Sequence, residues 1–268
     1  MNVAAVDESR PLRFSILASG SSGNACYVEA AGARILIDAG LSGREITRRL
    51  SLIGIEIERV DAIFLTHEHG DHIRGAGPLS RRLGIPVYLT EGTLRRGERS
   101  LGKLPDAKII DAGAVVAIRE MVVETFTKSH DASDPLGLVC CSNGKRFGMA
   151  TDLGRSTRVV EEHLKGCQAL ALEFNHDPIM LKEGPYSLEL KRRIRGPEGH
   201  LSNEQAALVL RTIGHGGLRN LVLAHLSEIN NHPEIASRVA SRALKDMGLD
   251  GVTISVARQN APGPFITV

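Results

Sequence analysis

The strongest constraint in this sequence is a cluster of three histidines and one aspartate within six consecutive positions, 67–72. The segment THEHGDH begins at Thr66 and directly follows the apolar run DAIFL. Imidazole and carboxylate groups are ligands that suit Zn, Mn or Fe. On a strand end His67 and His69 point to the same side, while Asp71 and His72, beyond the glycine, turn toward a neighbouring position. The segment therefore predicts two adjacent metal sites.

Apolar runs of strand length alternate with stretches of helical periodicity along the whole chain. Strands are predicted at 12–18, 25–29, 34–38, 61–66, 87–90, 108–110, 114–118, 121–127, 138–141, 145–151, 169–173, 220–224 and 253–257, and helices at 43–53, 75–83, 91–99, 156–164, from 203 and at 232–247. Many strands with helices in both halves predict an α/β fold of two mixed sheets packed face to face, with helices outside. We find no linker or repeat, so a single domain, 1–268, is expected.

Composition sets the class of protein. Lys and Arg number 33 against 31 Asp and Glu, so the net charge is only +2. No run reaches the roughly 18 apolar residues of a membrane helix, and residues 7–10 do not begin a signal segment. The four cysteines, Cys26, Cys140, Cys141 and Cys167, have no CxxC spacing and are expected as core residues in a reducing compartment. We expect a cytoplasmic protein without a membrane partner; the sequence leaves open a homo-oligomer.

The HxHxDH pattern resembles the signature of the metallo-β-lactamase fold, a four-layer αββα sandwich. The other parts of that signature follow in order along the chain: Asp38 in ILIDAG, His130 in TFTKSHD, Asp152 in GMATDLG and His225 in LVLAHLS. The resemblance implies two divalent ions: the first is bound by His67, His69 and His130, the second by Asp71, His72 and His225, and Asp152 bridges them. Asp38 would order the ligand loop. His176 in EFNHDP is an alternative to His130 as the ligand.

Two adjacent cations favour hydrolysis, because they lower the pKa of a shared water and give a metal-bound hydroxide at neutral pH. No serine or cysteine nucleophile is then required. Asp71 is a candidate to orient that water. His200 and His176 are the other catalytic candidates; His200 precedes a helix that Ser202 is predicted to cap, with Gln205 reaching back.

Within the fold, the chain resembles the YycJ/WalJ-like branch. The resemblance is carried by SILASGSSGN, TDLG, EFNHDPIMLKEGPYSLELKRRIRGPEGHLSN and HLSEINNHPE, with small departures at Ser187 and Ile229. It implies a metal-dependent phosphodiesterase, an exonuclease that degrades double-stranded DNA from a 5′ end.

Local charge agrees with a nucleic-acid substrate. Basic residues cluster in KRRIR, and Lys191, Arg192 and Arg193 are expected to bind phosphates. A second basic cluster, with few acids, contains Arg81, Arg82, Arg95, Arg96, Arg99 and Lys103. Further candidates for substrate contact are Ser21, Asn24, Asn175 and Ser202, the last beside a helix N-terminus that favours an anion. With 3% aromatic residues and no Trp, backbone contact rather than base stacking is expected to dominate binding.

Two other functions use the same motifs. A small-molecule hydrolase of this fold, acting on a thioester, a lactone or a cyclic phosphodiester, would need the same ligands with different outer loops. A non-catalytic metal- or DNA-binding protein would keep the fold without turnover. The full ligand set favours an enzyme.

Overall fold

The computed structural model describes residues 11–268 and contains two sheets of seven strands each. The strands are β1 (Arg13–Ala18), β2 (Ala25–Ala30), β3 (Ala33–Ile37), β4 (Ala62–Phe64), β5 (Val87–Leu89), β6 (Ala107–Ile109), β7 (Val115–Ile118), β8 (Met121–Thr127), β9 (Leu136–Ser142), β10 (Lys145–Ala150), β11 (Ala169–Glu173), β12 (Asn220–Ala224), β13 (Thr253–Val256) and β14 (Ile266–Thr267). The helices are α1 (Gly43–Leu52), α2 (Gly70–Ile73), α3 (Ala76–Leu83), α4 (Glu91–Leu101), α5 (Arg158–Leu164), α6 (Pro178–Glu183), α7 (Leu188–Arg195), α8 (Asn203–Ile213) and α9 (Pro233–Asp246).

Both sheets combine antiparallel and parallel pairing. The first has the order β14-β1-β2-β3-β4-β5-β6, antiparallel as far as β3 and parallel from β3 to β6. The second has the order β13-β12-β11-β10-β9-β8-β7, parallel from β13 to β10 and antiparallel from β10 to β7. The prediction of two mixed sheets is confirmed.

Three apolar layers hold the sandwich together. Between the sheets, the rings of Phe14 and Phe147 stack with their centroids 3.8 Å apart. Leu50 of α1 belongs to a cluster that covers the first sheet, together with residues of α3 and α4. Leu210 of α8 and Ala240 of α9 belong to a third cluster, over the second sheet. Helices therefore cover the outer face of each sheet, as the predicted αββα arrangement requires.

Several predicted boundaries and elements differ from the structure. The strand predicted at 61–66 ends at Phe64, so the histidine segment is a loop that leads into α2. The helix predicted from 156 begins at Arg158 because Thr157 caps it. No element was predicted over α6 and α7, since α7 buries no residue against the core. The capping box of Ser202 and Gln205 is confirmed.

The structure bears on two predictions drawn from composition, one about the cysteines and one about membrane helices. Cys26, Cys140 and Cys167 are buried free thiols that belong to the apolar clusters. Cys141 is half-buried, and its sulfur also lies 3.5 Å from Glu124 Oε1 and 3.3 Å from Arg146 Nη1. No helix in residues 11–268 has the length and apolar character needed to cross a membrane. The prediction about a signal segment concerns residues 7–10, which lie outside the described residues.

Candidate metal centre

Strand ends from both sheets supply the polar groups of one cleft. Each of the following residues ends a strand or follows its last residue by at most three positions: Asp38 after β3, His67 after β4, His130 after β8, Asp152 after β10, Glu173 at the end of β11 and His225 after β12. Parallel strands end at the same edge of a sheet, which brings these side chains together. Asp38, Asp152 and His225 have left-handed backbone conformations, with φ of 59°, 54° and 55°. Non-glycine residues rarely adopt this conformation, and such strain concentrates at functional sites.

Three histidines form the first group of converging donors. Nε2 of His67 lies 3.1 Å from Nδ1 of His69, and Nε2 of His130 lies 3.3 Å from the same atom. His67 and His130 are buried, whereas the side chain of His69 is 32% exposed at the cleft. Because β4 ends at Phe64, loop geometry rather than strand alternation turns His67 and His69 toward each other.

A second group consists of Asp71, His72 and His225, and Asp152 lies between the two groups. Oδ2 of Asp152 is 3.3 Å from Nε2 of His72, and its Oδ1 is 3.3 Å from Nε2 of His225. The same Oδ1 is 3.9 Å from Nε2 of His130. One carboxylate therefore reaches both groups, which is the position that the resemblance assigned to a bridging ligand.

The donor set fits divalent metal ions. Within each group the donor atoms lie within 4.8 Å of one another, and all are imidazole nitrogens or carboxylate oxygens. Two of these atoms, Asp152 Oδ2 and His225 Nε2, are buried without a hydrogen-bond partner. Buried polar atoms are rarely left unpaired, because the lost hydration costs about 1–3 kcal/mol. A cation between the strand ends would satisfy both.

Asp38 and Asn24 orient the ligands from behind. Asp38 accepts hydrogen bonds from the backbone N–H and the hydroxyl of Thr66, at 2.8 and 2.9 Å. The Asn24 amide donates to Asp71 Oδ2 at 3.2 Å, and its backbone N–H donates to Asp71 O at 2.7 Å. A Cβ on Gly40 would lie 1.6 Å from that carbonyl oxygen, so only glycine permits this approach. Asn24 was predicted to contact substrate; it is 2% exposed and supports Asp71 instead.

Burial and neighbouring carboxylates shift the pKa values of the histidines in opposite directions. Burial holds the pKa of His67 well below its ordinary value and lowers the pKa of His130 to about 4. Burial also opposes protonation of His72, but the carboxylates of Asp152 and Asp38 outweigh it and raise the pKa of His72 well above its ordinary value. A histidine binds metal in its neutral form, so metal binding at His72 would release a proton.

Comparison with known proteins agrees with this geometry. A family model described as a beta-lactamase superfamily domain matches residues 33–226. The exodeoxyribonuclease YycJ of Bacillus anthracis is 38% identical over 239 residues, which cover 88% of this chain and 90% of YycJ. The exodeoxyribonuclease WalJ of Streptococcus pneumoniae is 39% identical over 251 residues, which cover 91% of this chain and 93% of WalJ.

The chain belongs to the YycJ/WalJ family of the metallo-β-lactamase superfamily. It is a metal-dependent hydrolase. Its fold matches the crystal structure of YhfI from Bacillus subtilis, a metallo-β-lactamase-fold protein, with a TM-score of 0.71 at 13% identity, over 94% of this chain and 99% of YhfI.

A buried acid that sequence reasoning missed underlies this hydrolase site. Glu173, fully buried at the end of β11, accepts hydrogen bonds from Nδ1 of His200 at 2.9 Å and from the backbone N–H of Leu153 at 2.9 Å. Burial opposes its ionisation, but His200 outweighs burial and lowers the pKa of Glu173 to about 2. Burial of His200 opposes its protonation, but the Glu173 carboxylate outweighs burial and raises the pKa of His200 to about 9. The ending of ALALE, an acid after a buried apolar run, was the available signal.

The cleft above the donors has a volume of about 290 Å³, and several predicted contact residues line it. These residues are Ser21, Asn175, Arg193 and His200, which lie there together with His69, Asp71, His130, Asp152 and His225. Asn175 also donates to the backbone carbonyl of His225 at 2.9 Å, so it orders the strand end as well.

His176 and Ser202 lie beneath the cleft and do not line it. His176 is 2% exposed, and Nδ1 of its ring lies 3.4 Å from Asn175 Oδ1. Burial lowers the pKa of His176 to about 4, and its donor atoms join none of the converging groups. The Ser202 hydroxyl accepts from the Gln205 N–H as a helix cap, so it does not face a substrate. The two residues lie side by side in an isolated parallel β-bridge, and the Asn203 N–H donates to the His176 carbonyl at 2.9 Å.

The predicted basic contacts divide into two kinds. Arg193 lines the cleft, and its guanidinium is paired with Asp131 at 2.6 Å. Lys191 instead donates to the carbonyl of Lys182 at 2.8 Å, and Arg192 is exposed; neither lines the cleft.

Proposed function

We propose that this protein is a two-metal exonuclease that removes nucleotides from the 5′ end of double-stranded DNA. The observation that carries the proposal is the position of Asp152, within 4 Å of donors in both groups, in a chain about 38% identical to an exodeoxyribonuclease. The polarity and the preference for duplex DNA rest on the family resemblance. Zn, Mn and Fe all suit the donors.

We assign the first ion to His67, His69 and His130 and the second to Asp71, His72 and His225, with Asp152 bridging. When bound, two adjacent divalent ions lower the pKa of a water and offset the negative charge of a phosphodiester. Asp71 borders the cleft, with Oδ2 held by Asn24, and its other oxygen is assigned to orient the attacking water.

His200 is assigned as the general acid. Its Nδ1 is bound to Glu173, which leaves Nε2 for the cleft, and it carries a proton at neutral pH because its pKa is about 9. In the reaction the water oxygen forms a bond to phosphorus and the bond from phosphorus to the 3′ oxygen breaks. The His200 proton passes to that leaving oxygen. The attacking water gives up one proton to solvent, and His200 regains a proton from solvent before the next turnover. His176, a catalytic candidate in the sequence, has no assigned role in this step because it does not line the cleft.

The test is hydrolysis of matched substrates by protein reconstituted with Zn, Mn or Fe. Linear duplexes labelled at either 5′ or 3′ ends, single-stranded DNA, RNA of the same sequence and a closed circular plasmid would be compared. We expect mononucleotides from linear duplexes, release of the 5′ label first, and an intact circle. Activity on thioesters, lactones or cyclic phosphodiesters with every nucleic acid untouched would replace the nuclease with a small-molecule hydrolase. Metal binding without turnover of any substrate would indicate a non-catalytic protein.

A further inference from the structure

Two unlike sets of residues line the cleft. The candidate metal donors form its floor, and the segment that contains α7 forms a wall above them. Tyr186, Leu190, Arg193 and Ile194 line the cleft from this segment. Their spacing of four, three and one residues places them on one face of a helix and of the turn before it.

The apolar face of α7 has no core to pack against. The helix buries no residue, and Tyr186, Leu190 and Ile194 are half-buried at the cleft. Leu188, on another face, is 71% exposed. An amphipathic helix normally covers its apolar stripe with other parts of the protein. Here the stripe borders the catalytic cleft, so its natural partner is an apolar part of the substrate.

The occupant follows from the chemistry of the floor. A phosphodiester held at the metal donors carries a nucleoside beside the phosphate, and that nucleoside must lie against the facing wall. The cleft of about 290 Å³ is close to the lower limit, roughly 300 Å³, of pockets that bind small molecules. A space of this size is matched to one unstacked nucleotide rather than to a base pair. Enzymes that act on a nucleotide within a duplex extrude it in this way.

Resting on the proposed nuclease function, we propose that the terminal nucleotide leaves the duplex and enters the cleft with its base stacked on Tyr186. Among residues 11–268, Tyr186 is the one Phe, Tyr or Trp that lines the cleft. Every base has a face that stacks on an aromatic ring, so this contact would hold all four nucleotides without reading sequence. Backbone contacts still provide most of the affinity for the rest of the duplex; the ring acts on a single base.

Arg193 connects α7 to the side of the cleft that carries the candidate metal donors. Its Nε donates to Asp131 Oδ2 at 2.6 Å, and Oδ1 of Asp131 lies 3.4 Å from Nε2 of His130. At the end of the helix, the His200 N–H donates to the carbonyl of Ile194 at 2.9 Å. The C-terminal end of α7 is therefore tied, through two neighbouring residues, to residues beside the candidate metal donors. Arg193 is a positioning residue in this arrangement.

The experiment is a cycle that combines a protein change with a substrate change. Wild type, Tyr186→Ala, Tyr186→Phe and Leu188→Ala would be compared on a duplex with a normal terminal nucleotide and on one whose terminal nucleotide is abasic. On the normal end we expect Tyr186→Ala to lower kcat/KM about 5- to 150-fold, the equivalent of about 1–3 kcal/mol for one stacked base. On the abasic end Tyr186→Ala should match wild type, because no base remains to stack.

The controls separate stacking from folding. Tyr186→Phe keeps the ring and should retain wild-type kcat/KM, and Leu188→Ala changes α7 away from the cleft and should have no effect.

One outcome would overturn the stacking inference alone, and another would overturn the proposed nuclease function. An equal loss on normal and abasic ends would give Tyr186 a structural role and end the stacking inference, while the nuclease function stands. No degradation of any DNA by wild type would instead end the proposed function.

Discussion

Oδ2 of Asp38 lies 2.7 Å from Nδ1 of His72, and both side chains are fully buried. A carboxylate accepts, so this contact keeps a ring proton on Nδ1. In the neutral ring Nε2 then carries the lone pair, and the Asn24 amide nitrogen lies 3.0 Å from it. Nε2 is the atom that faces Asp152. This is the tautomer that a metal ligand at Nε2 would need.

Asp38→Asn should weaken metal binding about 10- to 100-fold, the usual effect of losing a supporting hydrogen bond behind a ligand. The asparagine amide can donate to Nδ1, which moves the ring proton to Nε2 and blocks the donor. Competition with a chelator measures the affinity. Asp106→Asn, which changes an exposed partner of Lys108, is the control and should bind metal normally. Unchanged affinity in Asp38→Asn would contradict the tautomer argument.

Wild type should contain two divalent ions per chain, and His69→Ala and His225→Ala should each contain about one. These histidines belong to different groups of donors. Turnover should fall by orders of magnitude in both variants, while thermal unfolding of the metal-free proteins stays near wild type for His69→Ala, whose side chain lies at the cleft surface. Elemental analysis gives the stoichiometry; a single ion in reconstituted wild type would refute the two-metal assignment.

His130 and His176 can be separated by metal content. His130→Ala removes a donor that lies 3.3 Å from His69 and should lower the ion count. His176→Ala should leave the count unchanged, since His176 belongs to no group of converging donors. Measuring both variants in one reconstitution series makes each the control of the other. The reverse pattern would exchange their assignments.

The histidine segment could be interpreted from its own residues, His67, His69, Asp71 and His72. Asp38, His130, Asp152 and His225 were implied by the family resemblance, and the structure places each of these four within three residues after a strand. Asn24 and Ser202 were assigned to substrate because a polar residue in a loop has the same local signature whether it faces a ligand or caps a structure. Only tertiary burial distinguishes the two, and both side chains are at most 6% exposed.

The wall of the cleft escaped prediction for a different reason. Positions 188–195 combine a basic run with scattered apolar residues, so the sequence suggests a solvated surface as much as a helix. The contacts that join α7 to the cleft, such as the ion pair between Arg193 and Asp131, connect residues 62 positions apart in the chain and leave no local signal. Glu173, in contrast, was predictable: it ends a buried strand as Asp38 follows one.

The rate should fall as the pH rises through about 9. His200 is the assigned acid, Glu173 raises its pKa to about 9, and an acid is competent only below its pKa. His200→Ala should be slower at neutral pH and should lack this alkaline limb. The profile of kcat on duplex DNA is the measurement, with metal content checked at each pH. A wild-type limb that persists in His200→Ala would assign the titration to another group.

The basic residues on the outer face of α7 should contribute to DNA binding through phosphate contacts. Arg193 is unsuitable for this test because its change also breaks the pair with Asp131, so the informative variant is Lys191→Ser with Arg192→Ser. Each lost phosphate contact should reduce the slope of log affinity against log salt by about one. Degradation of duplex DNA should fall at moderate salt, while hydrolysis of a small chromogenic phosphodiester, which needs only the metal centre, should stay at the wild-type rate.

Arg242→Ser with Lys245→Ser removes the same charge near the end of α9, far from the strand ends that form the cleft, and should leave both activities unchanged. A salt slope equal to that of wild type would show that α7 does not contact the DNA backbone.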